Sequence, residues 1–351
     1  MDFSPQTEPD QHAAFAQALA GFTRGRPVTV LCHFDADGLS AGALFARGLA
    51  RAGHEPALRL VGRGEDPWSA EMGRELADAA PGGIVATDLG VRRDPLAPGV
   101  PTVLVDHHVP QGLPDGQTTV VTGYGQDPTP CSALLAYRCL AGVTDMDPDL
   151  WLAALGTIGD LGERAPFAEL AEAKRRHGAK LLREATSLIN APRRSASGDA
   201  TPALHLLMKA KGPGEVVSGE HPETAILQAA RGEVKAALEE ARRAPPRFAG
   251  QVALVQCHSP CQIHPLLAQS WAGRLRRNVV IAANTGFRPG RVHFAARTAT
   301  DTDLVAFLAR HAPPGAAGPA YGQGHRQASG GALDVEGWAL FLGGVGFRGM
   351  G

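Results

Sequence analysis

Short apolar runs rich in β-branched residues recur through the first half of the chain, and between them apolar residues return at helical spacing. Val28–Cys32, Ala57–Val61, Gly83–Thr87 and Thr102–Val105 read as strands, and Ser40–Ala52, Trp68–Ala80, Cys131–Leu140 and Leu150–Leu155 as helices. Strands alternating with helices predict an α/β fold with a parallel sheet covered on both faces. Further on, Pro192–Gly214 mixes Arg, Ser, Gly and Pro and marks a boundary. Pro222–Arg243 has apolar residues at helical spacing and reads as a connector that Pro245-Pro246 stops. A second alternating unit follows: strand Val252–Gln256, helix Ile263–Leu275, strands Val279–Ala283 and Val292–Ala295, helix Thr302–Arg310, and a glycine-rich stretch from Tyr321 to Gly331. The expected organisation is a parallel-sheet domain over 1–192, a linker and connector helix over 193–246, and a smaller α/β domain over 247–351. No internal repeat is evident.

Composition narrows the class. A chain of 351 residues is too long for one small core and suits two domains. Hydrophobic residues at 44% and charged residues at 20% exclude a disordered chain, a collagen and a disulfide scaffold. No apolar run approaches the roughly 20 residues of a membrane helix, and Met1–Pro5 lacks the basic start and apolar core of a signal peptide. The five cysteines, Cys32, Cys131, Cys139, Cys257 and Cys261, are odd in number and mostly sit in apolar stretches, so reduced thiols in a cytoplasmic protein are expected. The net charge of −1 hides an asymmetry: from Arg247 to the end there are ten Arg, no Lys and four acids. That composition lacks the uniformly basic footprint of tight non-specific DNA binding. The split either places cations near the first domain and an anion near the second, or is surface chance.

The strand ends carry the chemistry. Val28–Cys32 runs into His33, Asp35 and Asp37; Gly83–Thr87 runs into Asp88; Thr102–Val105 runs into Asp106, His107 and His108. In open α/β sheets ligands sit at these carboxyl ends. Carboxylate oxygen suits hard divalent cations, and imidazole suits manganese, iron and zinc. An EF-hand is excluded, because Leu39 and Ala46 fall where a ligand and the closing Glu belong. For the first cluster a helix N-cap remains the alternative, and for Asp88 a simple cap. Adjacent residues point apart, so His107 and His108 are expected to do different jobs. Asp160 is expected in a glycine-rich turn, Gly156-Thr157-Ile158-Gly159-Asp160, after a helix.

Taken in order, His33-x-Asp35-x-Asp37-Gly38, Asp88, Asp106-His107-His108 and Gly156–Asp160 resemble the four motifs of the DHH phosphoesterase family. Gly322-Gln323-Gly324-His325-Arg326-Gln327-Ala328-Ser329-Gly330-Gly331 resembles the glycine-histidine signature of its DHH-associated domain. The resemblance implies a phosphodiesterase with two divalent ions, manganese with magnesium as the alternative. His33, Asp35 and Asp88 would hold one ion and Asp37, Asp88, His107 and Asp160 the other, with Asp88 bridging. Asp106 would be an outer ligand or would orient a histidine, and His108 would face the phosphate. Arg297, Gly322, Gly324, His325, Arg326, Gly330 and Gly331 would meet substrate. Tyr321-Gly322-Gln323-Gly324 stands where many relatives have three consecutive glycines.

The resemblance further implies a substrate of single-stranded DNA or RNA, or a short oligonucleotide, handled as RecJ-like exonucleases and nanoRNases do. Aromatic content of 5% offers few stacking platforms for long strands, and no room for an added OB fold is expected after Gly351. A cyclic-dinucleotide or 3′-phosphoadenosine-phosphate hydrolase would use the same site. A non-catalytic nucleic-acid-binding relative would have lost ligands, and an inorganic pyrophosphatase would have a different second domain. Cys257, His258, Cys261 and His264 have zinc-like spacing but no second pair, so they read as a strand end and helix start, with His264 available to line a cleft.

Overall fold

The computed structural model describes residues 6–114, 116–316 and 321–347; Met1–Pro5 and Gly351 lie outside them. The chain divides into two compact units, residues 1–193 with 198–229, and residues 194–197 with 230–351.

The first unit opens with helix α1 (Glu8–Ala20), started by a capping box between Thr7 and Asp10. Strand β1 (Val28–His33) leads into α2 (Ala36–Arg51), followed by β2 (Pro56–Val61), α3 (Ala70–Asp78), β3 (Gly83–Thr87), β4 (Thr102–Asp106) and β5 (Thr118–Thr122). Helices α4 (Ser132–Ala141), α5 (Leu150–Asp160), α6 (Ala168–His177), α7 (Ala179–Ile189), α8 (Thr201–Lys209) and α9 (Pro213–Ser218) come next. The five strands form one parallel sheet in the order β2-β1-β3-β4-β5. Helix α2 is buried over most of its length, and Leu44, Phe45 and Leu49 join Leu134, Trp151 and Leu155 of α4 and α5 in the main core. The opposite face holds Leu31, Ile84 and Leu104 against Met72 and Leu76 of α3. Burial on both faces explains why these strands are continuous apolar runs rather than alternating ones. Truncating a core residue such as Leu44 to Ala is expected to cost about 2–5 kcal/mol.

Helix α10 (Pro222–Ala241) carries the chain from one unit to the other. The second unit contains β6 (Arg247–Ala249), β7 (Val252–Cys257), α11 (His264–Ala272), β8 (Val279–Arg288), β9 (Arg291–Thr298), α12 (Leu304–Arg310), β10 (Tyr321–His325), β11 (Ala328–Asp334) and α13 (Val335–Gly344). Its sheet runs β10-β11-β9-β8-β7-β6, with β7 and β8 parallel and the other pairs antiparallel. Phe341 stacks with Phe294 and Trp338 on one face with Tyr321 edge-on to Phe294 and Phe341, and Ile263 together with Leu267 and Ala268 of α11 covers the other. The glycine-rich stretch from Tyr321 forms the β10–β11 hairpin, turning at Arg326-Gln327.

All five cysteines are unpaired. Among the described residues no helix is long and apolar enough to cross a membrane.

Candidate metal centre

Strand β1 ends at His33, and the chain enters α2 within three residues. A side chain on Gly38 would meet the His33 carbonyl oxygen at 2.5 Å, so only glycine allows so abrupt an entry. Asp35 is the N-cap of α2: its Oδ1 accepts from the N–H groups of Asp37 (3.2 Å) and Gly38 (3.1 Å). The cap expectation therefore holds for Asp35, whose Oδ1 also lies 3.2 Å from His33 Nδ1.

Asp37, in the first turn of α2, points toward α4. It accepts from the N–H groups of Ser132 and Ala133, both at 2.8 Å, so the free end of α4 grips both of its oxygens. The Ser132 hydroxyl donates to Asp88 Oδ1 at 3.0 Å. Asp88 lies just past β3 in left-handed backbone, φ 63°, a conformation that Asp and Asn enter more readily than other side-chain-bearing residues.

His33 Nδ1 is 3.4 Å from Asp88 Oδ2. His107 Nε2 is 3.6 Å from Asp88, 3.7 Å from Asp160 and 3.9 Å from Asp37. Donor atoms fall into three groups, each within 4.8 Å internally: His33, Asp35 and Asp88; Asp37, His107 and Asp160; and Asp88, His107 and His108. The side chains therefore converge from the ends of β1, β3 and β4 and from α2 and α5.

Two local expectations need correction. Asp160 is not in a turn but is the last residue of α5, where Gly156 brings the helix against Ala133 and Asp37. The helix continues because nothing in Gly-Thr-Ile-Gly breaks it once Leu152 and Leu155 are buried. His107 and His108 do not point apart: their ring centroids are 4.3 Å apart and both face Asp88. Strand alternation ends at Asp106, so it no longer separates them.

Asp106 is fully committed within the protein. It accepts from the Gly90 N–H (2.7 Å), the His108 N–H (2.7 Å) and His108 Nδ1 (2.9 Å). Burial would raise its carboxyl, but these bonds hold it below its ordinary value. It orients the exposed His108 ring.

The acidic pit is electrostatically unfinished. Burial and the charges of Asp88, Asp160 and Asp35 push Asp37 well up, and burial with Asp88 and Asp35 raises Asp160. Burial would also raise Asp35, but His33 and Arg193 (3.7 Å) hold it well down. Burial alone would lower His33 and His107, yet the surrounding carboxylates hold each at about 10. His107 Nε2 is buried without a hydrogen-bond partner.

Sequence reasoning missed Ser132 and Arg193. Ser132 follows an apolar-looking Pro-Cys, and the available signal was a hydroxyl at a helix start.

In the second unit, Arg297 of β9 is mostly buried and has no ion-pair partner among the described residues; burial alone lowers its pKa. Arg326 is 3.6 Å from Asp303. Gly324 and Gly330 have a structural reason to be glycine, since a side chain would meet the Ala328 carbonyl at 2.3 Å or the Phe294 carbonyl at 2.5 Å. Gly322 and Gly331 sit opposite one another's neighbours in the same hairpin, and His325 ends β10. His264 is buried at the start of α11 with an unpartnered Nδ1.

No protein-family model matches the chain, and no curated protein matches it. Solved structures do. An exonuclease RecJ bound to manganese superposes with a TM-score of 0.67 at 22% identity, over 99% of this chain and 95% of that one. RecJ in complex with Mn2+ from Thermus thermophilus gives 0.69 at 20% identity over 98% of this chain, which spans about half of that longer protein (55%). The DHH domain of a member of a ribosomal-protein family gives 0.68 at 15% identity, covering 97% and 91%. At these identities the likeness concerns architecture, and this chain has the RecJ-like fold of the DHH family.

Proposed function

We propose that this protein is a metal-dependent phosphodiesterase that hydrolyses single-stranded nucleic acid or short oligonucleotides, using two divalent cations, manganese or magnesium. The observation that carries the reading is His107 Nε2. A buried ring nitrogen without a hydrogen-bond partner, 3.6–3.9 Å from three carboxylates, has the spacing of a donor set around a cation. The mutual repulsion that raises Asp37 and Asp160 is what divalent charge relieves.

His33, Asp35 and Asp88 would hold one ion and Asp37, His107 and Asp160 the other, with Asp88 close enough to both histidines to be shared. When bound, such a pair supplies an activated water for in-line attack on phosphorus and neutralises charge on the phosphate oxygens. The remaining chemistry belongs to the protein. Ser132 and the start of α4 fix Asp88 and Asp37. Asp106 stays ionised and holds His108 through Nδ1, leaving the other ring nitrogen to solvent. Burial would lower His108, but Asp106 and Asp88 outweigh it and raise the ring, which when protonated would donate to a phosphate or leaving oxygen. Arg297, whose Nη1 donates to the Ala296 carbonyl and which has no carboxylate partner among the described residues, offers its remaining N–H groups to a second substrate anion. That an exonuclease holding manganese shares this fold supports the same reading.

The test is the purified chain with Mn2+ against end-labelled dinucleotides, longer DNA and RNA strands, cyclic dinucleotides and 3′-phosphoadenosine phosphate. Shortening of dinucleotides or single strands is expected. No turnover of any phosphodiester by metal-loaded protein rejects the enzyme and leaves a binding protein, and preference for a cyclic or small nucleotide moves the substrate assignment there.

A further inference from the structure

The acidic centre does not fill the crevice it borders. A cavity of about 390 Å³ opens beside it at the carboxyl ends of β2, β1, β3 and β4, with His33, Asp88 and His108 in its wall. The strand order β2-β1-β3 makes this the place where successive connections leave in opposite directions, the crevice in which open α/β sheets hold ligands.

The rest of the lining differs from the centre. Phe34, Val61, Val91 and Val109 are apolar. Val109 is 66% exposed, a large apolar side chain left open beside a charged site. Phe34 sets its ring edge-on to His33, with centroids 4.7 Å apart. The charges that reach the cavity are already matched: Glu65 accepts from Arg59 and from the Gly62 N–H, and Arg92 lies over Trp68 at 4.7 Å and 3.4 Å from Asp66. Away from the centre the cavity therefore suits an uncharged, flat, partly apolar group. Its volume is near the lower end of the ~300–1,000 Å³ common for small-molecule sites, room for one nucleoside.

We propose that this cavity is a nucleoside subsite: it seats the base and sugar of the one residue whose phosphate lies at the carboxylate–histidine centre, with Phe34 and Val109 against the apolar surfaces and Gln111 available to the hydrogen-bonding edge. The inference rests on the phosphodiesterase reading and deepens it.

The experiment compares two substrates with one leaving group, the p-nitrophenyl phosphate ester of thymidine (5′ or 3′, whichever the native protein prefers) and methyl p-nitrophenyl phosphate. The native protein should favour the thymidine ester. Val109→Trp, which fills the cavity from an exposed position, should lower the ratio of the two kcat/KM values at least tenfold. It should also raise the inhibition constant of thymidine monophosphate against methyl-ester hydrolysis at least fivefold. An unchanged ratio and an unchanged inhibition constant overturn the subsite, and so does a native protein that does not discriminate between the esters. Hydrolysis of neither ester by metal-loaded native protein is the separate failure of the phosphodiesterase reading.

Discussion

Histidines occupy opposite surroundings in the two units. In the first, His33 and His107 stand among Asp35, Asp37, Asp88 and Asp160, and the carboxylates hold both near 10 despite burial. In the second, His264 and His293 have ring centroids 6.0 Å apart beside Phe287. Burial, His293, Arg194 and Arg297 push His264 down to about 3, and burial with Arg288 and Arg291 pushes His293 down to about 4. One side chain thus serves two ends. The first set is held protonated by its carboxylates, and the second is held neutral by burial and neighbouring cationic charge. A net charge of −1 is the near-cancellation of these two regions.

The sharpest way to break this contrast is at Asp88, which stands between both histidines of the first unit. Asp88→Asn should lower turnover by roughly 10³-fold or more, since residues acting as one unit fail together, and metal analysis should show loss of bound manganese. Native metal content in the variant contradicts the shared-ligand role. On the other side of the contrast, Arg297→Ala should raise KM by about 10- to 100-fold, the worth of a charge-assisted contact, with kcat changed only a few-fold. A large fall in kcat at saturating substrate with KM unchanged contradicts a binding role.

Titration sharpens the same comparison. His33 and His107 are raised above the unfolded value, so their contribution to metal-free stability is full below about pH 6.5 and fades as pH rises toward 10. A divalent cation held there would have to displace those protons, so its binding should strengthen over the same window. The difference in Tm between metal-loaded and metal-free protein should therefore widen from about pH 6.5 to about pH 9; a constant difference counts against the assignment. His264 and His293 are depressed, so their contribution is present above about pH 6.5 and is lost as pH falls toward 4 and 3. His264→Asn should make the acid-side fall in Tm shallower, by a few degrees at about 2–4 °C per kcal/mol. An identical slope in the variant removes His264 from the account.

Much of this was legible before any coordinates. The strands that end in His33, Asp88 and Asp106 are buried apolar runs, and a motif gives their order and polar tips directly. The interactions that aim the carboxylates were not legible, because they are long-range: Ser132 reaches Asp88 across 44 residues of sequence, and Ala133 reaches Asp37 across 96. Strand β5 escaped notice although Thr-Thr-Val-Val-Thr is β-branched throughout, since its threonines weaken the apolar signal. Helix α1 carried its own signature in the Thr7–Asp10 capping box. The β10–β11 hairpin was not legible because its glycines carry no strand pattern, yet Gly330 is there because the β9 backbone passes too close for a side chain.

The handedness of the chain at Asp88 also bears on how such a protein can change over generations. For most L-residues that bend costs about 1–2 kcal/mol, so drift at this position is channelled toward asparagine and glycine. Asparagine would preserve the contour while erasing the charge, leaving a molecule that looks intact but lacks the carboxylate proposed to be shared by two cations. In a relative that keeps this shape but lacks the proposed activity, this is the first position to inspect.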